Sequence, residues 1–504
     1  MKTRLLPALF LLFGACTGKD TADDSTDDSA SDDSATDDSA SDDSATDDSG
    51  AVEGDYNTLW IPPQLSGTQF GLTLADSSKE FFEGGATPTY GYNGESFWGP
   101  TLVMRKGDFV SINVTNELSD MTTTHWHGFH IPAEMDGGPH QPIESGTTWS
   151  PSFEIMNNAA TYWYHPHLHM TTAQQLAMGA GGLIIVQDSV EDALPLPRTY
   201  GTDDIPLVLT SRKFTNSNAI QTDAVYGDYM LTNGTLDAAV ELPQQLVRFR
   251  ILNADIERSY NLGFSDDRTF YVITTDGGLV DAPIPVTRLP MWVGERYEVL
   301  VDLSGDAVGD SLELMAYNSG QEFGFPGGEP NTSGEFGSLL NNTDFEVLHI
   351  EVGEATAGAI LELPGSLVSN VYPSESEADL TRTVRITDQG PGTPFTFDDA
   401  AFDEDVINQS VALGATEVWT ISNNETFGHS FHIHDIQFKI IARSDREIAD
   451  YEQGWKDVVS VPVGESVSFI TRFDDFASDT HPYMYHCHMA NHEDGGLMGQ
   501  FLVQ

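Results

Sequence analysis

A chain of 504 residues with 22 Lys+Arg against 78 Asp+Glu carries a formal net charge of −56. Its length allows two to four domains, each large enough for its own core. The acidity excludes a nucleic-acid binder, which needs cations for phosphates, and it acts on solubility rather than on fold.

The N-terminus reads as an export signal. Lys2 and Arg4 make a charged start, Leu5 to Phe13 is apolar, and Gly14-Ala15 precede Cys16. The apolar run is too short to cross a bilayer as a stable helix. The pattern resembles a bacterial lipoprotein signal, which implies that residues 1–16 end in a lipidated Cys16 anchored to a lipid membrane. Phe13 departs from the aliphatic residue usual in such signals, and there is no twin-Arg pair. The expected location is the cell envelope, in the periplasm or on the outer surface. Residues 17–54 follow, with Asp-Asp-Ser-Ala-Ser/Thr repeated from Asp20 to Ser49. Like charges and the lack of apolar residues predict an extended disordered tether, reaching at most roughly 100 Å.

The only cysteines are Cys16 and Cys487. If Cys16 is lipidated, Cys487 is a lone thiol in an oxidising compartment, and a metal is the best reason for one there.

From about Tyr56 the chain reads as short strands divided by Gly, Pro, Asn and Asp clusters. Phe109 to Val114, Val247 to Leu252 and Glu298 to Leu303 alternate as half-buried strands do. The expected class is all-β, built of β-sandwiches. Histidine is uneven: ten of the 15 fall in four tight groups, two between 125 and 167 and two between 429 and 492, while 170–428 holds only His349. This predicts three units at 55–190, 191–357 and 358–504, the outer two carrying metal and the middle one structural.

The four groups are His125-Trp126-His127, His165-Pro166-His167, His429-Ser430-Phe431-His432-Ile433-His434, and His486-Cys487-His488 with His492. Strand side chains alternate between two faces. His486 and His488 therefore point one way and Cys487 the other. His125, His127, His165, His167, His432, His434, His486 and His488 make eight imidazoles for one presumed face. His429, at odd spacing from His432, diverges from them and is left over with Cys487 and His492. Two imidazoles and a thiolate describe a blue-copper site. Zinc, without redox chemistry, suits a Cys-linked cluster poorly. His169 extends the alternation past His167, and His130, His140, His349 and His481 are expected to be ordinary surface or hydrogen-bonded residues, with a substrate-side role for His130 or His140 as the alternative.

These motifs resemble the multicopper oxidases, the laccase-like family of three cupredoxin-like Greek-key domains. Thr161 to Tyr164, Ala177-Met178-Gly179 and Gly294 to Tyr297 look like the bacterial copper-efflux oxidases and laccases. The resemblance covers nearly everything after residue 56. It implies four copper ions. His429, Cys487 and His492 would hold a type 1 copper, and His125 and His432 a type 2 copper. His127, His165, His167, His434, His486 and His488 would hold a type 3 pair. It also implies electron transfer through Cys487 and proton relay by Asp136 and Glu493. Where the copper-efflux enzymes often place an axial Met, this chain has Leu497, which cannot ligate; Met498 would reach the copper only after a one-residue slip. A missing axial ligand raises the potential.

The resemblance implies O2 as acceptor and a reducing small-molecule or metal-ion substrate, with a monomer expected. Residues 355–428 contain no Met to gather Cu(I), and of an acid and a Met near the substrate copper only the acid, Glu425, is kept beside Phe427. These features favour a phenolic or similar organic donor, entering at His429 or His492. The alternatives are a cuprous or other metal-ion oxidase for copper tolerance and a non-catalytic copper-binding protein.

Overall fold

Period-two burial sets the architecture. In the strand Gln69–Lys79, Phe70, Leu72 and Leu74 are buried between exposed or half-buried neighbours, and in Phe109–Asn116 the same holds for Val110, Ile112 and Val114. Each such strand needs a second sheet to cover its apolar face. A computed structural model describes residues 56–388 and 395–504. The expected export signal, the Cys16 anchor and the acidic tether lie outside the described residues.

Six sheets form three successive sandwiches. In the first, one sheet runs in the order Gln64–Ser66, Thr101–Arg105, Gly182–Gln187, Ala160–His165, His125–His127. It packs over Gln69–Lys79, Phe109–Asn116 and their neighbours, around Leu72, Ile112, Tyr164 and Ile184. The middle sandwich is built on Asp204–Arg212, Leu246–Asn253 and Arg296–Asp302 in one sheet, and Ala238–Pro243, Asp344–Gly353 and Ser311–Tyr317 in the other. In the third, one sheet runs Gln409–Val411, Met498–Val503, Tyr483–Cys487, His429–Ile433, Val458–Val461 and faces a sheet centred on Thr416–Asn423.

One short strand departs from the sequence expectation. Asn57–Thr58 pairs in parallel with Ala238 and Ala239, so it extends the middle sandwich rather than the first. Two residues are too few for alternation to show which sheet edge they complete. The sandwiches also share apolar surface: Trp98 and Trp163 of the first, Val208 and Leu252 of the middle and Ala490 of the third fall in one buried cluster.

Two registers position the site. His165 lies opposite His125, and His486 opposite His432. Opposed residues of antiparallel strands share a face, so each pair projects to one side. A one-residue slip would send every ring to the other face.

Candidate metal centre

The strand Tyr483–Cys487 separates two clusters. On one side, Cys487 Sγ lies 3.6 Å from His429 Nδ1 and 3.6 Å from His492 Nδ1. His429 comes from the start of its strand and His492 from the short helix Ala490–Asp494. Cys487 and Leu497 belong to one apolar cluster, and burial pushes the Cys487 thiol up to about 12 and His492 down to about 3. A neutral thiol beside neutral imidazoles becomes a thiolate only when a cation displaces its proton. Leu497 accepts the Cys487 backbone N–H through its carbonyl at 3.0 Å. Met498 lies opposite His486 in the sheet, on the face away from Cys487, and the slip that would make it an axial ligand does not occur. His429 is fully buried and His492 is half-buried, which leaves His492 as the exposed edge. Phe395 packs on both rings at 4.8 and 4.6 Å, and Phe427 lies 5.6 Å from His492.

On the other side, all eight remaining imidazoles converge, although His167, His434 and His488 sit just past the ends of their strands. A carbonyl can only accept, so a ring nitrogen facing one carries the proton and leaves its other nitrogen as a bare lone pair. His125 Nδ1 donates to the Asp136 carbonyl (2.9 Å), His165 Nδ1 to Pro166 (2.8 Å), His432 Nδ1 to Asp457 (2.8 Å) and His486 Nδ1 to Cys487 (3.1 Å). Carboxylates do the same elsewhere, with Asp136 Oδ2 at 2.6 Å from His434 Nδ1 and Asp457 Oδ1 at 3.3 Å from His127 Nε2, while Glu493 Oε1 lies 3.1 Å from His167 Nδ1 without hydrogen-bond geometry.

The inward-facing nitrogens fall into three sets. His127 Nδ1 lies 3.4 Å from His165 Nε2 and 3.1 Å from His488 Nε2. His486 Nε2 lies 3.1 Å from His167 Nε2 and 3.3 Å from His434 Nε2. His125 Nε2 and His432 Nε2 are buried with no partner. Facing lone pairs repel, whereas two nitrogens about 2 Å from one ion at a tetrahedral angle lie about 3.3 Å apart. Burial also drives His127, His165, His432, His434 and His488 well below their ordinary pKa, so protons do not relieve the crowding. The donor set fits metal ions of an imidazole-preferring kind, and copper is one of these.

Acids surround the cluster. Burial opposes ionisation of Glu493, but His167 and His486 outweigh it and hold the carboxyl well below the usual carboxylate range. Asp136 touches His125 through its carbonyl and His434 through its carboxylate. Two features escaped the sequence reading. Asp457 bridges the rings in the same way, and Arg296, from the supposedly structural middle sandwich, forks onto it at 2.5 and 2.7 Å. The middle sandwich also presses Gly294 onto the His488 ring, where a Cβ would come within 2.9 Å. Asp457 follows a Trp-Lys pair that offers no spacing signal. Arg296 sat in a noted likeness, Gly294 to Tyr297, that carried no role.

Across three sandwiches, one Cys/His₂ site is thus joined through adjacent residues to an eight-His cluster. Family profiles described as multicopper oxidase match residues 75–191, 219–315 and 376–504. The chain is 31% identical over 442 residues to "Multicopper oxidase mco" of Staphylococcus haemolyticus, covering 86% of this chain and 88% of that protein. It is 32% identical over 454 residues to "Cell division protein FtsP" of Sodalis glossinidius, covering 88% and 92%. Among solved structures, a laccase-like multicopper oxidase CueO from a lignin-degrading Ochrobactrum sp. superimposes with a TM-score of 0.79 at 30% identity, covering 88% of this chain and all of that one. The chain belongs to the multicopper oxidase family, and its sandwiches are cupredoxin folds. That family binds copper and couples a reducing substrate to O2.

Proposed function

We propose that this protein is a laccase-like multicopper oxidase that takes one electron from each of four phenolic or similar organic donors and reduces O2, with four protons, to two waters. Bound copper supplies the one-electron redox chemistry and the store of four electrons. In this reading His429, Cys487 and His492 hold the type 1 ion, and His125 and His432 hold the type 2 ion. The type 3 pair divides between His127, His165 and His488 on one ion and His167, His434 and His486 on the other.

The protein's own groups do the rest. His492, half-buried between Phe395 and Phe427, offers a donor an aromatic approach. Cys487 is flanked in sequence by His486 and His488, which gives a covalent path between the clusters. Asp136, which accepts from two ring N–H groups, and Glu493, whose oxygens lie 3.1 and 3.3 Å from the His167 and His486 ring nitrogens, hold and pass protons for oxygen reduction.

The observation that carries the reading is the complete and convergent set of eleven ligands. The organic-donor choice rests on Leu497, on the lack of Met in 355–428, and on the Ochrobactrum relative, an oxidase of lignin model compounds and lignosulfonate. We further propose export and anchoring through Cys16.

Relatives named for cell division supply the competing, non-catalytic reading. Oxygen uptake by the copper-loaded protein against phenols and Cu(I), with Cys487→Ser as control, separates the readings. Phenol-driven uptake abolished by the substitution supports the proposal. Uptake with Cu(I) alone selects the metal-ion oxidase. No uptake at all, with fewer than about three coppers, selects the non-catalytic protein.

A further inference from the structure

Asp457 and Asp136 are counterparts across the cluster. Each offers its carbonyl to one ring and its carboxylate to another, and each joins a ring of the first sandwich to a ring of the third. Asp136 takes His125 and His434, which stack at 3.9 Å. Asp457 takes His432 and His127, which stack at 3.9 Å and 10°. The difference lies behind them. Among the described residues no Arg or Lys pairs with Asp136, and its Oδ1 lies 3.3 Å from His125 Nδ1 without a hydrogen bond. Asp457 is gripped through both oxygens by Arg296, and Arg296 is itself held by the carbonyls of Thr161 (3.2 Å) and Asp276 (3.0 Å). One guanidinium thus meets all three sandwiches beside the cluster.

We infer that Asp457, clamped by Arg296, is a positioning residue that decides which nitrogen of His127 faces the metal ions. This rests on the copper reading of the site. Elsewhere in the cluster the inward nitrogen is Nε2. At His127 alone Nε2 points outward, to Asp457, and Nδ1 points in toward His165 and His488. Among neutral imidazoles a carboxylate at one nitrogen fixes the tautomer. A planar fork holding both carboxylate oxygens fixes the carboxylate in turn, which a single-point cation does less well. Gly128, next to His127 and at φ 84°, is consistent with this: a Cβ there would lie 2.6 Å from Asp457 Oδ2 and 2.7 Å from Arg296 Nη2. The glycine ending His125-Trp126-His127-Gly128 makes room for the clamp. The middle sandwich, which supplies no ligand, thereby sets the geometry of one.

The test uses the full-length copper-loaded chain as wild type, Arg296→Met and Arg296→Lys, read by metal analysis, electron paramagnetic resonance and the blue absorption of the Cys-ligated copper. Arg296→Met is expected to lose at least one copper per chain from the His cluster while keeping the blue band. Arg296→Lys is expected to regain part of that loss. Four coppers with an unchanged resonance spectrum in Arg296→Met would overturn the inference. If the blue band is lost too, the variant has not folded, and nitrogen-15 NMR of the wild-type chain before copper loading decides. A protonated Nε2 and bare Nδ1 on His127 support the clamp, and the opposite tautomer overturns it. A wild type that takes up no copper at all sinks the copper reading instead and leaves the tautomer result standing.

Discussion

His130, expected to be an ordinary residue, makes an ionic clasp between the first and third sandwiches. Its Nδ1 lies 2.8 Å from Asp435 Oδ1 and its Nε2 3.4 Å from Asp475 Oδ2. Burial opposes the imidazolium, but Asp435 and then Asp475 outweigh it and push His130 from 6.5 up to about 9. At ~1.36 kcal/mol per pH unit that rise is worth about 3 kcal/mol. Because the folded pKa is raised, the full contribution is present below pH 6.5 and is lost as pH rises through about 9. His130→Gln should therefore lower stability by about 2–3 kcal/mol near pH 6 and by less than about 1 kcal/mol near pH 9.5. Urea unfolding of both proteins across that range measures the difference. A gap that stays constant, or widens toward high pH, would refute the charged clasp.

Three further outcomes follow from the site. Leu497→Met brings a thioether to the apolar side of Cys487 and should lower the potential of the Cys-ligated copper in a redox titration; an unchanged potential would mean that Leu497 does not face the metal. Glu493→Gln keeps the shape beside His167 and His486 but removes the charge. Turnover should fall by roughly 10²-fold with copper content intact, and a rate within about twofold of wild type would remove Glu493 from the proton path. Type 1 copper affinity should rise about tenfold per pH unit between pH 6 and 8, because binding must displace the proton of a thiol pushed up to about 12 while His492, at about 3, is already neutral. A flat profile would mean that the thiol is already ionised.

Much of the site was legible because strands have a simple period. Alternation separated Cys487 from His486 and His488, and the odd spacing of His429 from His432 sent those two rings to different clusters, as the structure has them. The same rule argued against Met498, and the register opposite His486 agrees. What was not legible depends on contacts between distant segments. Asp457 meets His127 across 330 residues of sequence, and no local pattern marks it. The division of six of the clustered histidines into two trios needed the actual directions of the ring nitrogens. His130 gave no signal because its partners, Asp435 and Asp475, lie in another sandwich. The middle unit looked purely structural since it lacks ligands, yet Arg296 and Gly294 shape the cluster from behind.

Stoichiometry tests most directly whether O2 is reduced by four electrons drawn from single-electron donors. With the copper-loaded protein and a phenolic donor in limiting O2, four donors should be oxidised for each O2 consumed, with no hydrogen peroxide formed. Two donors per O2 with peroxide accumulating, or no consumption of O2 by a fully copper-loaded chain, would contradict the account.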